Sequence, residues 1–141
     1  MSKHDADDPL AHIPIFAGLG PKERDEVRSL MTGVDVESGY VLAREGSYGS
    51  EFFVIESGTA KVERDGVLLA EIGPGDFQGE MSLLDNGVRT ATVTATSPMS
   101  LLVATVNEFN SLLDQAPIIA RQMLPAVVAR LRVLPGAHHG D

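Results

Sequence analysis

The chain contains no cysteine and no tryptophan, and its four histidines, His4, His12, His138 and His139, all lie near its ends. Without cysteine there is no disulfide framework, thiol nucleophile or thiolate zinc site, and a cytoplasmic location is the default expectation. With no imidazole between Ile13 and Ala137, the body of the chain lacks the usual proton shuttle and the usual metal ligand. The His138-His139 pair reads as a solvated tail with weak metal affinity at most. No apolar run approaches the ~18 residues of a membrane span, and residues 1–8 lack the charged-then-apolar pattern of a secretion signal, so no membrane insertion is expected. Cations are scarce as well: Lys+Arg 11 stand against Asp+Glu 20, a formal net charge of -9. That balance excludes a nucleic-acid surface, which needs clustered Lys and Arg to neutralise phosphates.

What the sequence does hold is enough apolar material for one core, with 43% of its 141 residues hydrophobic. Ten of the fourteen glycines fall between Gly33 and Gly87, separating short β-branched and apolar runs such as Glu51-Phe52-Phe53-Val54-Ile55 and Val67-Leu68-Leu69-Ala70-Glu71-Ile72. Short strands with turn signals at this spacing predict an all-β barrel or sandwich. Asp65-Gly66 sits where a tight hairpin needs positive φ, and Ser57-Gly58 and Gly73-Pro74-Gly75-Asp76 mark the next connections. The flanks read as helical. Residues 21–31 open on a proline and place Val27, Leu30 and Met31 at helical spacing, while the apolar Ile13-Pro14-Ile15-Phe16 suits docking onto a core. Asn107 is the expected cap of a helix through Phe109, Leu112 and Leu113, and Pro117 the start of another reaching Val133. The expected architecture is mainly β with flanking helices: flexible tails at 1–9 and 136–141, one domain over 10–135, a β-roll over 34–106 and C-terminal helices over 107–133.

One segment carries chemistry. Between Gly75 and Val93 the chain reads Phe77-Gln78-Gly79-Glu80-Met81-Ser82-Leu83-Leu84, a short loop through Asn86-Gly87, then Arg89-Thr90-Ala91-Thr92-Val93. A glycine opening a helical turn suits an anion, because free backbone N–H groups point at it and the glycine permits close approach. Arginine adds a fork of donors matched to phosphate oxygens. Arg89 is the only Lys or Arg between Asp65 and Ala120. Two readings of it stand on spacing alone: an anion receptor, or a strand-end arginine paired with Glu80 or Asp85.

Phe-x-Gly-Glu-Met-Ser-Leu-Leu followed by Arg-Thr-Ala-Thr-Val resembles the phosphate-binding cassette of cyclic-nucleotide-binding domains, found in catabolite-activator-type regulators, protein kinase A regulatory subunits and cyclic-nucleotide-gated channels. The likeness extends from Ile13 through the Gly39, Gly46 and Gly58 turns to the last helix. It implies a β-roll with a short cassette helix. It also implies that Arg89 contacts the cyclic phosphate, that Glu80 accepts the ribose 2′-hydroxyl, and that Gly79, Met81 and Ser82 offer backbone donors. Thr90 and Ala91 then lie beside the phosphate. A hydroxyl at Thr90 also meets the amino group of a syn guanine, so cGMP stays open beside the favoured ligand cAMP.

The last helix resembles the family's lid. Between Asp114 and Asp141 there is no acid, while Arg121, Arg130 and Arg132 are present. At ~100° per residue, Ile119, Met123, Val127 and Leu131 form one stripe with Ala120, Leu124 and Val128 beside it, simplest as core packing. Arg130 falls within that stripe, and Arg121 and Arg132 fall opposite. Arg130 therefore either meets a purine base, as some family members arrange, or snorkels to solvent. Pro125 inside the helix marks a hinge or a break.

These features predict a non-enzymatic sensor with no cofactor, binding cAMP in preference to cGMP and moving its last helix to regulate a protein effector or a fused domain. About eight residues follow Val133, so no DNA-reading segment is expected after the lid; the oligomeric state is read as monomer or homodimer. Two other readings are a degenerate roll serving only as an interaction module and a cupin-like enzyme, the latter short of histidine ligands.

Overall fold

A computed structural model describes residues 9–85 and 87–133; nearly all of the two expected tails, with His138-His139, lies outside the described residues. Two 3-10 turns, Pro9–His12 and Pro14–Phe16, lead into helix α1 (Pro21–Ser29). Eight strands follow, β1 (Thr32–Val36), β2 (Val41–Ala43), β3 (Glu51–Ser57), β4 (Ala60–Arg64), β5 (Val67–Ile72), β6 (Phe77–Gln78), β7 (Thr92–Ala95) and β8 (Met99–Thr105). Helix α2 (Glu80–Asp85) interrupts them between β6 and β7, and α3 (Val106–Gln115) and α4 (Pro117–Val133) close the described chain.

The strands form two four-stranded antiparallel sheets, ordered β1-β8-β3-β6 and β2-β7-β4-β5. This is the expected β-roll with flanking helices. Alternation along β3 explains how the layers stack. Phe53 and Ile55 point into a core shared with Val62, Val93 and Leu101, between the sheets, whereas Phe52 and Val54 point out against the helices. β8 divides in the same way, Leu101 and Val103 inward, Leu102 and Ala104 outward. Both strands are buried on both faces, which is why they read as continuous apolar runs.

The helical layer rests on that outer face. Phe109 lies 4.8 Å from Phe52 between ring centroids, and Ile13, Ile15 and Phe16 join the same cluster, as the proline-containing segment predicts. The Asp65-Gly66 hairpin forms as expected, with φ of +52° and +77° at its two central residues.

Four details differ from expectation. The cap of α3 is Thr105, not Asn107: Thr105 Oγ1 accepts from the Glu108 N–H and Glu108 Oε1 accepts from the Thr105 N–H, a capping box that satisfies both end groups. Helix α1 stops at Ser29, because the Leu30 and Met31 N–H groups reach back only three residues in a tightened last turn. In α4 only Ile119 and Met123 of the apolar stripe are buried; Leu124, Val128 and Leu131 are exposed, because the inward face is the one shared by Ile119, Met123, Ala126, Val127 and Arg130 and these three fall away from it. α4 runs unbroken through Pro125.

Candidate functional site

The turn at Gly73–Asp76 begins the site. Asp76 Oδ2 accepts from the Gly73 N–H at 2.9 Å, and the Gly75 N–H donates to the Ile55 carbonyl at 2.8 Å. This fixes the chain beside β3, and β6 then pairs Phe53 with Gln78 and Val54 with Phe77. Gly79 follows at φ +100°, where a Cβ would collide with the Glu51 carbonyl oxygen and with Arg89 Nη1. Only glycine lets the backbone turn here against β3 and deliver Glu80 to the first turn of α2.

Arg89 comes from the other direction. Its backbone is clasped by the β2–β3 loop, its N–H donating to the Ser47 carbonyl at 2.6 Å and its carbonyl accepting from the Gly46 N–H at 2.9 Å. The side chain runs inward and is 7% exposed. Nη2 donates to the Glu51 carbonyl at 2.8 Å, and the guanidinium lies 5.7 Å from the Phe53 ring centroid. Nη1 is buried and has no hydrogen-bond partner among the described residues. Burial lowers the pKa of Arg89 from its ordinary value, opposed by the charges of Glu51 and then Glu80. Neither acid pairs with it directly.

Glu80 is engaged elsewhere. Its carboxylate, in a residue 1% exposed, accepts from Arg130 Nη1. Arg130 Nη2 donates to the Phe77 carbonyl at 2.6 Å, and its guanidinium lies 4.6 Å from the Phe77 ring centroid. Arg130 is thus turned inward rather than snorkelling, in keeping with its place on the helical wheel, and Arg121 and Arg132 lie on the exposed side.

Gly79, Glu80, Met81, Arg89, Thr90, Ala91 and Arg130 all line one cavity of about 330 Å3. Ser82 falls within α2, and its side chain lies outside the described residues. The rest of the lining lies outside the site residues expected from the sequence: Ala43, Val62 and Val93 from the inter-sheet core, Leu69, Ala70 and Ile72 from β5, Gln78, Ala129, and a third arginine, Arg64. Arg64 Nε donates to the Thr90 carbonyl at 3.0 Å. A register shift between Val62 and Glu63 disturbs the alternation of the β4–β5 hairpin, so period-two counting does not reveal which of its residues face the cavity. A polar floor with an apolar wall, at this size, suits a small anionic organic ligand.

Residues 34–116 match the cyclic nucleotide-binding domain family. The cAMP-dependent protein kinase regulatory subunit of Yarrowia lipolytica is 35% identical over 106 residues, covering 74% of this chain and 28% of that protein. The Cyclic AMP receptor protein of Thermus thermophilus is 31% identical over 124 residues, covering 84% of this chain and 57% of that protein. The chain therefore spans only part of the length of these relatives. A solved structure of Sp-2Cl-cAMPS bound to PKAR CBD2 superposes with a TM-score of 0.76 at 26% identity, covering 92% of this chain and 91% of that one.

Proposed function

The chain belongs to the cyclic nucleotide-binding domain family, and we propose that it is a non-enzymatic sensor whose cavity takes a 3′,5′-cyclic mononucleotide, cAMP in preference to cGMP. The observation that carries the reading is Arg89, a buried guanidinium among the cavity-lining residues whose Nη1 has no hydrogen-bond partner among the described residues. A cyclic phosphate monoanion supplies the acceptor that this group lacks, and a charge-assisted bond there offsets the burial of the guanidinium. Met81 in the first turn of α2 lines the same cavity, with Ser82 next to it in that turn, and Thr90 and Ala91 follow Arg89 along the wall. The ribose 2′-hydroxyl donates to Glu80, the one carboxylate among the described residues lining the cavity. With that carboxylate held by Arg130, the lining offers recognition groups and no free general base.

The preference for cAMP is supported by the apolar wall of Val62, Leu69, Ala70, Ile72 and Ala129. It accepts an adenine edge more readily than the extra carbonyl and amino groups of guanine. The binding unit spans residues 10–135 in this reading. Arg130 makes it a sensor: the group on Glu80 that meets the ribose also holds α4, so a ligand interacts differently with the docked and undocked helix and shifts their populations. The receiver of that shift is a protein effector or fused domain. Paired calorimetric titrations of cAMP and cGMP test the reading; one cAMP per chain, bound more tightly than cGMP, is the expected result, and no binding of either overturns it.

A further inference from the structure

Two carboxylates act on the buried Arg89, and they are not equivalent. Glu80 is neutralised by its ion pair with Arg130. Glu51, the first residue of β3, contributes its backbone carbonyl to Arg89 Nη2, while its carboxylate makes no ion pair or hydrogen bond among the described residues. Alternation along β3 places the half-buried Glu51 on the same face as Phe53 and Ile55, which point into the roll, and Arg89 lies against the ring of Phe53. The position is fixed from both sides. Glu51 pairs with Thr105 on β8, and Gly79 packs so tightly against its carbonyl that no Cβ fits between them. Glu51, which stands behind Arg89 and is not among the residues lining the cavity, therefore sets a negative charge beside the cation that is to receive an anion.

We propose that Glu51 sets the affinity of the site: its carboxylate supports the buried charge of Arg89 and at the same time repels the incoming phosphate, holding affinity below what Arg89 alone would give. The inference rests on the phosphate reading of Arg89. Like charges flanking one buried cation disfavour each other's presence, and screening by salt is weak there. Glu51 is a positioning residue through its carbonyl and an affinity-setting one through its carboxylate, and only the second role depends on charge. The isosteric Glu51→Gln keeps the carbonyl and removes the charge.

Calorimetric titration of cAMP into the wild-type chain and three variants separates the possibilities. Glu51→Gln is expected to bind three- to tenfold more tightly, and Glu51→Asp, which keeps the charge, to stay within about twofold of wild type. Glu56→Gln removes a carboxylate from the same strand beyond the inward-facing pair Phe53 and Ile55, and is also expected to stay within about twofold. Unchanged or weaker binding by Glu51→Gln overturns the proposal, as does equal tightening by Glu56→Gln, which would assign the effect to net charge. A parallel titration with inorganic phosphate, followed through the Arg89 Nε–H resonance, must give the same order. If no cyclic nucleotide binds the wild type but the phosphate order holds, the nucleotide reading fails and Glu51 keeps its role. Loss of the order in the phosphate titration overturns the role of Glu51.

Discussion

Arg130 on the last helix donates to the carboxylate of Glu80, 50 residues earlier at the start of the cassette helix, and the acid that receives it is almost wholly buried. The contact joins the lid to the floor of the cavity, and the same guanidinium closes onto the Phe77 carbonyl and ring. α4 is thereby tied to the roll by charge as well as by Ile119 and Met123.

Removing Arg130 leaves Glu80 buried without its cation. Arg130→Ala is expected to destabilise the fold by about 2–4 kcal/mol, toward the lower part of the range because Arg130 is itself partly exposed. Glu80→Gln added to it recovers most of the loss, since no buried carboxylate is then left without its cation. Urea unfolding of the two single variants and the double variant measures the coupling; additive single effects would mean that the pair does not act as a unit.

Arg89 is expected to behave in the opposite sense, important for the ligand and of little value to the empty fold. Arg89→Ala weakens cAMP binding at least about tenfold, because a charge-assisted hydrogen bond contributes roughly 1.5–3 kcal/mol. Its ligand-free stability falls little, since removing a buried guanidinium with an unpaired Nη1 relieves a desolvation penalty as it loses packing. With cAMP at about a hundredfold over Kd, wild type gains about 2.7 kcal/mol, which raises Tm by roughly 10 °C for a chain of this size. The variant at the same concentration shows a much smaller shift in a thermal scan.

Gly79 carries the geometry on which both charged residues depend. Gly79→Ala places a methyl group against the Glu51 carbonyl and Arg89 Nη1 at a φ that L residues rarely adopt. The expected loss is about 1–3 kcal/mol of stability from backbone strain, with cAMP affinity falling further than stability because Arg89 is displaced. Thermal unfolding and titration of the same sample distinguish the two effects.

Much of this arrangement is legible in the sequence, and the reasons differ by residue. The hairpin at Asp65-Gly66, the proline openings of α1 and α4 and the two-faced burial of β3 all follow from local rules. Arg89 stands out because its neighbours in sequence carry no cation. Arg64 is hidden by the same criterion: it lies one residue outside that cation-free window, and only the pairing of β4 with β7 brings it to the Thr90 carbonyl. Glu51 gives no signal at all, since a carboxylate at the start of an apolar strand reads as a solvated end. Its importance comes from the β3–β6 pairing and the Gly79 turn, which are long-range. Thr105 is readable, because Thr-x-x-Glu is a capping-box signature, yet Asn107 lies closer to the apolar run and competes for the same role. The partner of Arg130 is beyond periodicity: a helical wheel gives the direction of a side chain, not the group that waits there.

The ribose contact supplies the most selective test of the site. Glu80 has two oxygens with room for more than one donor, so acceptance from Arg130 leaves acceptor capacity for a 2′-hydroxyl. Glu80→Gln keeps the shape, exchanges one acceptor oxygen for an amide and removes the charge facing Arg130. Binding of cAMP is then expected to weaken about tenfold or more, in line with roughly 1.5–3 kcal/mol for a hydrogen bond to a charged group. A 2′-deoxy analogue binds the wild type more weakly, because it lacks the donor, and loses less on going to Glu80→Gln. The difference between those two losses isolates the hydroxyl–carboxylate contact from any general loosening of the lid, which affects both ligands alike. Equal losses for cAMP and its 2′-deoxy analogue would instead place the role of Glu80 wholly in holding Arg130, and the ribose assignment would fall.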